Sequence, residues 1–190
     1  MTPKELDARA APVIAGQYGL ITERQAGKLG LSGDAIRYRI GTGIWARVLP
    51  GVYRLAAVPQ SWKQRLLAAC LWSDSGVASH RSAAALYGFD GFRPGLIEIT
   101  AELNAAPARN GIILHRSGQF GPADKSRLHQ IPVTTVGRTL IDLGAVSPLV
   151  KVQFALDHAL RDEFVNSTIF TARWNDSEVE VGVEQPHFGA

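Results

Sequence analysis

The most constraining stretch of the sequence is GLITERQAGKLGLSGDAIRYRIGTGIWARVLPGVYRL, residues 19–55, which begins with two short helix patterns. Thr22 and Gln25 have the spacing of a capping box, which predicts the start of a first helix. Gly30 suits the left-handed position after a helix, and Ser32 suits the cap of a second one. A three-residue connection between two helices is typical of a helix-turn-helix. The predicted helices cover residues 23–29 and 33–40.

A β-hairpin pattern follows the two helices. Residues 45–49 and 52–55 are short runs of strand type, and Pro50-Gly51 between them is a turn dipeptide. Helix, turn, helix and hairpin is the order of a winged helix-turn-helix, which places its second helix in the major groove of DNA. The alternative is an ordinary helical hairpin with a solvated basic face. We expect an α+β protein whose residues 1–58 form a winged helix-turn-helix domain.

Basic residues concentrate in this stretch, which favours DNA as a partner. Arg37 and Ser32 are expected to read bases, because both side chains can bond base edges. The apolar pattern of the second helix directs Arg37 and Arg39 away from the core and places Tyr38 at its edge. Arg47 and Arg54 are expected on the solvated side of the hairpin, where cations bind phosphates. The predicted DNA-binding residues are Lys28, Ser32, Arg37, Tyr38, Arg39, Arg47 and Arg54.

Behind this stretch, the pattern changes to that of a small mixed α/β domain, expected over residues 59–165. A long helix is predicted first, and two alternating apolar runs then predict strands joined by a hairpin loop. Residues 166–190 lose this periodicity and are expected to form a loose tail. The predicted ranges are residues 61–73 for the long helix, 96–100 and 112–116 for the hairpin strands, 131–134 for a third strand, and 135–144 and 148–164 for two last helices.

A second group of residues, of types that occur in catalytic sites, is scattered through the mixed domain. The tripeptide His-Arg-Ser occurs at residues 80–82 and 115–117, and with Asp142 it offers the groups of a hydrolase site. No Gly-x-Ser-x-Gly or glycine-rich phosphate loop accompanies it. We interpret Ser79 and His80 as a helix cap and the second tripeptide as a coincidence. We predict no catalytic residue, metal site or cofactor. The last helix is interpreted as carrying a solvated face with Asp157, His158, Asp162 and Glu163.

The bulk composition limits the class of protein and the compartment that we expect. The 190 residues include 46% hydrophobic and 19% charged side chains, which suffices for a buried core, and the net charge is only +3. The single cysteine, Cys70, excludes an internal disulfide and a cysteine-based zinc site. We find no signal-peptide pattern and no apolar run of the length that a membrane span needs. A cytoplasmic protein without membrane contact is expected.

Several blocks of the sequence resemble the AbiEi-type antitoxins of type IV toxin–antitoxin systems, in the form common in actinobacteria. The resemblance implies a winged helix that binds promoter DNA and represses its own operon, and its DNA-contact role carries over to Arg24 as well. It also implies an α/β domain that neutralises a nucleotidyltransferase-type toxin, and no enzymatic activity. Many related chains continue into a restriction-endonuclease-like domain, for which this chain shows no acidic motif. The matching blocks are residues 19–55 with Gly-Val-Tyr-Arg, WKQRLLAA at 62–69, ASHRSAAALYG at 78–88 and IPVTTVGRTLIDL at 131–143.

The predicted function is that of a DNA-binding transcriptional regulator, an antitoxin that represses its own toxin–antitoxin operon. Its expected partners are double-stranded operator DNA and a nucleotidyltransferase-type toxin. The alternative is a protein-interaction module that neutralises a toxin without specific DNA binding. A third class, a hydrolase or nuclease built on His80, His115 and Asp142, predicts cleavage of nucleic acid and is not favoured.

Overall fold

The structure, a computed structural model, describes residues 2–102, 111–118, 120–162 and 164. Within these residues, the N-terminal module (residues 3–55) contains three helices and an antiparallel sheet of three strands, ordered β1-β3-β2. In chain order its elements are α1 (Pro3–Ala15), β1 (Leu20–Thr22), α2 (Glu23–Lys28), α3 (Gly33–Gly41), β2 (Trp45–Leu49) and β3 (Val52–Leu55).

Interactions between near neighbours in sequence explain where these elements begin and end. The Thr22 hydroxyl accepts a hydrogen bond from the Gln25 amide, and the Thr22 amide donates to Gln25 Oε1 in return. Ser32 caps α3 by accepting from the Ala35 amide at 3.2 Å. Gly30 has a φ of +95°, a backbone conformation that residues other than glycine rarely adopt. The two predicted helices and both hairpin strands are confirmed, whereas the short strand β1 was not predicted.

The rest of the described chain surrounds a five-stranded mixed sheet, ordered β6-β5-β4-β8-β7. The neighbours β5–β6 and β4–β8 are parallel, and β4–β5 and β7–β8 are antiparallel. The elements are α4 (Trp62–Trp72), β4 (Val77–Ala78), α5 (His80–Tyr87), β5 (Ile97–Ala101), β6 (Ile112–Arg116), β7 (Lys125–Leu128), β8 (Ile131–Thr134), α6 (Val136–Val146) and α7 (Leu149–Arg161).

The predicted hairpin between residues 96–100 and 112–116 is wrong, because these strands run parallel, with Ile97 opposite Ile112 and Thr100 opposite His115. An alternating apolar run has the same appearance in either direction, so its pattern does not reveal the orientation of its partner. The strands β4 and β7 were also not predicted, since β4 has two residues and β7 is largely polar. The predicted tail, residues 166–190, lies outside the described residues.

The sheet of the N-terminal module is covered on both faces. Ile21 and Tyr53 face the helices α1–α3, whereas Leu20 and Val52 join the core that contains Leu66 of α4 and the strands of the second sheet. Hydrogen bonds also cross this junction, as the Tyr18 hydroxyl donates to the His129 carbonyl at 2.7 Å. The expected boundary at residues 58/59 therefore does not interrupt the apolar core. None of the helices that the structure describes has the length and apolar character of a membrane span.

Candidate nucleic-acid interface and a buried histidine cluster

Helix α3 presents one polar face to solvent. Ile36 is buried against the module core, whereas Ser32, Arg37 and Tyr38 are exposed. The Arg37 side chain is 75% exposed and pairs with Asp34, one turn earlier on the same helix. A surface ion pair of this kind contributes at most about 1 kcal/mol, so the Arg37 guanidinium can exchange partners easily. This face is polar, accessible and basic at its centre.

Arg39 lies on the opposite side of α3, and its predicted outward orientation is wrong. Its residue is only 4% exposed. The guanidinium donates two hydrogen bonds to Asp7 Oδ1, at 3.0 and 2.7 Å, and a third to the Ala35 carbonyl at 2.9 Å. It also lies 5.7 Å from the centre of the Trp45 ring. Arg39 therefore holds α1 against α3, because it stands one turn after Ile36 on the buried stripe of the helix.

The two hairpin arginines point to opposite faces of their sheet. Arg47 is opposite Tyr53 in the β2–β3 register, and its exposed guanidinium lies 6.0 Å from that ring. Arg54 is on the other face, where its Nη1 donates to the carbonyls of Leu55, Ala56 and Val58. The prediction that both arginines share a solvated side is therefore wrong for Arg54. Its three bonds hold the connection between β3 and α4.

The two remaining predicted cations belong to α2. Lys28 is exposed in the last turn of the helix. Arg24 is also exposed, but both of its terminal nitrogens donate to Asp74, in the connection between α4 and β4. The Arg24–Asp74 pair thus links the module to the rest of the chain. Within the described part of the chain, five of the predicted DNA-binding residues are exposed and form no ion pair with another element. They are Lys28, Ser32, Arg37, Tyr38 and Arg47.

The two histidines of the repeated tripeptide lie together in the second half of the fold. His80 begins α5 and His115 lies on β6, and their rings stack with centres 3.5 Å apart and planes 15° apart. Glu98 of β5 completes the group, with its Oε2 at 3.3 Å from His115 Nε2. The two histidines of the tripeptide that the sequence repeats are therefore neighbours in the fold. We call His80, Glu98 and His115 the histidine cluster.

Hydrogen bonds orient each member of the histidine cluster. Ser79 occupies the cap position of α5, as predicted, but its side chain does not bond the helix backbone; its hydroxyl lies 2.9 Å from His80 Nδ1. Arg81 Nε donates to Glu98 Oε1. Burial lowers the pKa of His80 to about 3, so this imidazole is neutral. Burial opposes ionisation of Glu98, but the bonds from His115 and Arg81 outweigh it and lower its pKa.

The other predicted members of a hydrolase site have separate roles. Asp142 accepts a hydrogen bond from Arg138 Nε at 2.7 Å, and burial raises its pKa. Ser82 donates to the Leu96 carbonyl and accepts from the Glu98 amide, so its hydroxyl joins α5 to β5. Glu98 was not predicted to belong to this group. The single charge inside the apolar run of residues 96–100 was the available indication.

The last helix carries a different arrangement of imidazole and carboxylates. His158 is half-buried, with Nδ1 at 3.4 Å from Asp90 Oδ2 and Nε2 at 3.3 Å from Asp162 Oδ2. Only part of the predicted solvated face is therefore free in solvent, although Asp157 is exposed. Glu163 lies outside the described residues.

Comparison with known protein families gives a match for one part of the chain. Residues 9–56 match the family described as a transcriptional regulator, AbiEi antitoxin. The matched segment runs from the middle of α1 to the end of β3 and contains every predicted DNA-binding residue. Over these residues, the match confirms the family resemblance that the sequence indicated. No curated protein matches the chain.

Proposed function

We propose that this chain, whose residues 9–56 belong to the AbiEi antitoxin family of transcriptional regulators, binds double-stranded operator DNA as a cytoplasmic regulator. The observation that carries the proposal is the exposed face of α3, with Ser32, Arg37 and Tyr38 at accessible positions. Helix α2, the turn and α3 form the helix-turn-helix, and the β2–β3 hairpin is its wing. The winged domain is a functional unit, although its core continues into the rest of the chain.

The exposed residues take the two roles that DNA binding requires. Arg37 and Ser32 contact base edges, which specify the sequence, and Tyr38 lies beside them. Lys28 and Arg47 bind phosphates, which position the protein without reading the sequence. Arg39 and Arg54 instead preserve the shape of the module, and Arg24 ties it to the second half, because their guanidinium groups are engaged there.

A fluorescence-anisotropy titration on the chain's own upstream DNA tests this assignment. The double variant Arg37→Ala/Arg47→Ala is expected to lose specific binding, since each lost base contact costs about 1–3 kcal/mol. The matched control is Arg65→Ala, which removes an exposed arginine from α4. Unchanged binding by the double variant, or equal loss in the control, would show that this surface is not the interface.

We also propose that the regulator represses its own operon and neutralises a nucleotidyltransferase-type toxin through α7. The supporting observation is a group of large apolar side chains that are exposed on this helix. Such a group is typical of a surface that binds another protein. Its members are Leu149, Val150, Phe154 and Leu160.

Co-purification with the adjacent gene product, in the absence of DNA, tests the second role. The change Phe154→Ser is expected to reduce toxin capture while DNA binding is retained. Leu96→Ser is the matched control, because Leu96 is also an exposed apolar residue but lies outside α7. Equal capture by wild type and Phe154→Ser would remove α7 from the proposal and leave the DNA-binding role intact.

A further inference from the structure

We propose that the histidine cluster, His80, Glu98 and His115, is a binding site for a divalent transition-metal ion of the Zn²⁺ class. Three separate segments supply the donors: the start of α5, the buried strand β5 and the edge strand β6. The ligand atoms of the three residues all lie within 4.8 Å of one another. This inference concerns a site outside the DNA-binding module and is independent of the proposed function.

The donor set has the chemistry that such an ion prefers. Two imidazoles and one carboxylate are common ligands of zinc, and three protein ligands leave one position open to water or another donor. Two ligands of one tetrahedral zinc ion lie about 3.3 Å apart, given bond lengths near 2.0–2.2 Å. The Glu98 Oε2 to His115 Nε2 separation is already 3.3 Å. The His80 donor atom also lies within 4.8 Å of both of these atoms.

The surroundings orient the donors as metal sites require. Ser79 engages His80 Nδ1, which leaves Nε2 as the donor atom of that ring. Arg81 engages Glu98 Oε1, which leaves Oε2 for the ion. Ligating histidines and carboxylates in proteins are held in this way by a hydrogen bond to their other polar atom. His80 also has a φ of +50°, a strained conformation of the kind that persists at functional sites.

One further polar group lies beside the histidine cluster. Thr100 stands directly opposite His115 in the parallel register of β5 and β6. Its residue is 1% exposed, and its hydroxyl has no hydrogen-bond partner among the residues that the structure describes. A buried hydroxyl without a partner is costly. The register position of Thr100 next to His115 places this unpartnered hydroxyl on the same face of the sheet as the donors.

Metal binding requires a movement that the structure permits. An ion lies in the plane of the imidazole that binds it, so two stacked rings cannot both ligate one ion without a rotation of one of them. His115 is the ring with room to rotate, because its side chain is 25% exposed and β6 is at the edge of the sheet. The His158 group on α7 differs, since its two carboxylates lie at opposite ring nitrogens and cannot converge on one ion.

Titration of the full chain with Co²⁺, after removal of metal by a chelator, tests the proposal. We expect one Co²⁺ per chain with the visible absorption of a tetrahedral site, displaced by Zn²⁺. The variant His115→Asn is expected to weaken binding at least tenfold, whereas the matched control His129→Asn, at an exposed histidine of the β7–β8 turn, keeps it.

A second variant separates a metal site from a structural ion-pair network. Arg81→Gln leaves all three donors in place and is expected to weaken Co²⁺ binding about 10–100-fold, as loss of an outer hydrogen bond does in metal sites. If His115→Asn does not fold, pulsed electron paramagnetic resonance of Cu²⁺ on the wild type decides the question, with two coordinated imidazoles expected. No Co²⁺ binding by the folded wild type, a Cu²⁺ spectrum without two imidazoles, or equal binding by wild type and His115→Asn would overturn the proposal.

Discussion

The N-terminal module and the five-stranded sheet differ in where their charged side chains lie. On the module, Arg37 and Arg47 reach solvent, so a polyanion can approach their guanidinium groups. In the sheet, the carboxylate of Glu98 is fully buried and is shared by Arg81 and His115. A surface pair can open at little cost, whereas a buried network resists the loss of any member because the others remain unpaired. The first arrangement suits the reversible contact with DNA that we propose, and the second suits the buried donor atoms of the proposed metal site.

Arg39 shows that this difference between charged groups depends on the burial of the side chain and not on the part of the molecule to which it belongs. It belongs to the module, but its guanidinium is buried between α1 and α3 and is bonded to Asp7. Arg37 stands two residues away on the same helix and is exposed. Substitutions at these sites can therefore break or sharpen the comparison between the two arrangements.

The largest effect is expected for Glu98→Ala, which leaves Arg81 and His115 without their shared carboxylate. Loss of one partner of a buried pair typically costs 3–5 kcal/mol, and because Arg81 is partly exposed we expect about 3 kcal/mol. Urea unfolding followed by circular dichroism measures it. Glu102→Ala, at an exposed position just after β5, is the control and should cost less than about 0.5 kcal/mol. Equal urea midpoints for the two variants would contradict the buried network.

A smaller effect on stability is expected for Arg39→Ala. The change removes the bonds to Asp7 and to the Ala35 carbonyl, so we expect the free energy of unfolding to fall by about 2 kcal/mol. Arg37→Ala is the matched substitution and should change it by less than about 0.5 kcal/mol. Urea unfolding of both variants is the measurement. If Arg37→Ala were the more destabilising change, the assignment of the two arginines would be reversed.

A third prediction concerns the affinity for DNA. Asp34→Asn removes the carboxylate that competes with DNA for Arg37, and we expect binding to tighten by about threefold. Asp74→Asn is the matched control, because it removes an equivalent exposed acid from the pair with Arg24, away from the proposed interface. Anisotropy titrations at one salt concentration compare the two. A larger gain from Asp74→Asn would move the interface toward Arg24.

The smallest effect is expected at Cys70, which lies in the core that joins both regions. Burial raises the pKa of this thiol to about 12, so the reactive thiolate is scarce in the folded chain. A thiol reagent at mildly alkaline pH should modify the thiol quickly only after denaturation. Arg37→Ala should leave the rate in the folded chain unchanged. Acceleration by this surface substitution would mean that the module separates from the rest of the core.

Part of the candidate site could be predicted from sequence because the determining contacts are local. The Thr22–Gln25 and Ser32–Ala35 bonds each span three residues, so the spacing of residue types was enough to place α2 and α3. The exposure of Arg37 followed from the apolar positions of its own helix. The burial of Arg39 could not be predicted in this way. An arginine on the buried stripe is stable only when another segment supplies its acid, and Asp7 is 32 residues away.

The sequence by itself determined the caps, the turn and the hairpin strands of the N-terminal module, since each depends on residues within one or two turns. Only the tertiary structure decided that β5 and β6 run parallel and that His80, Glu98 and His115 meet. These residues are separated by 17 or more positions, and each has an ordinary alternative as a cap, a strand residue or a solvated side chain. Their common chemistry arises because strand pairing brings them together and burial removes the water that would otherwise keep them independent.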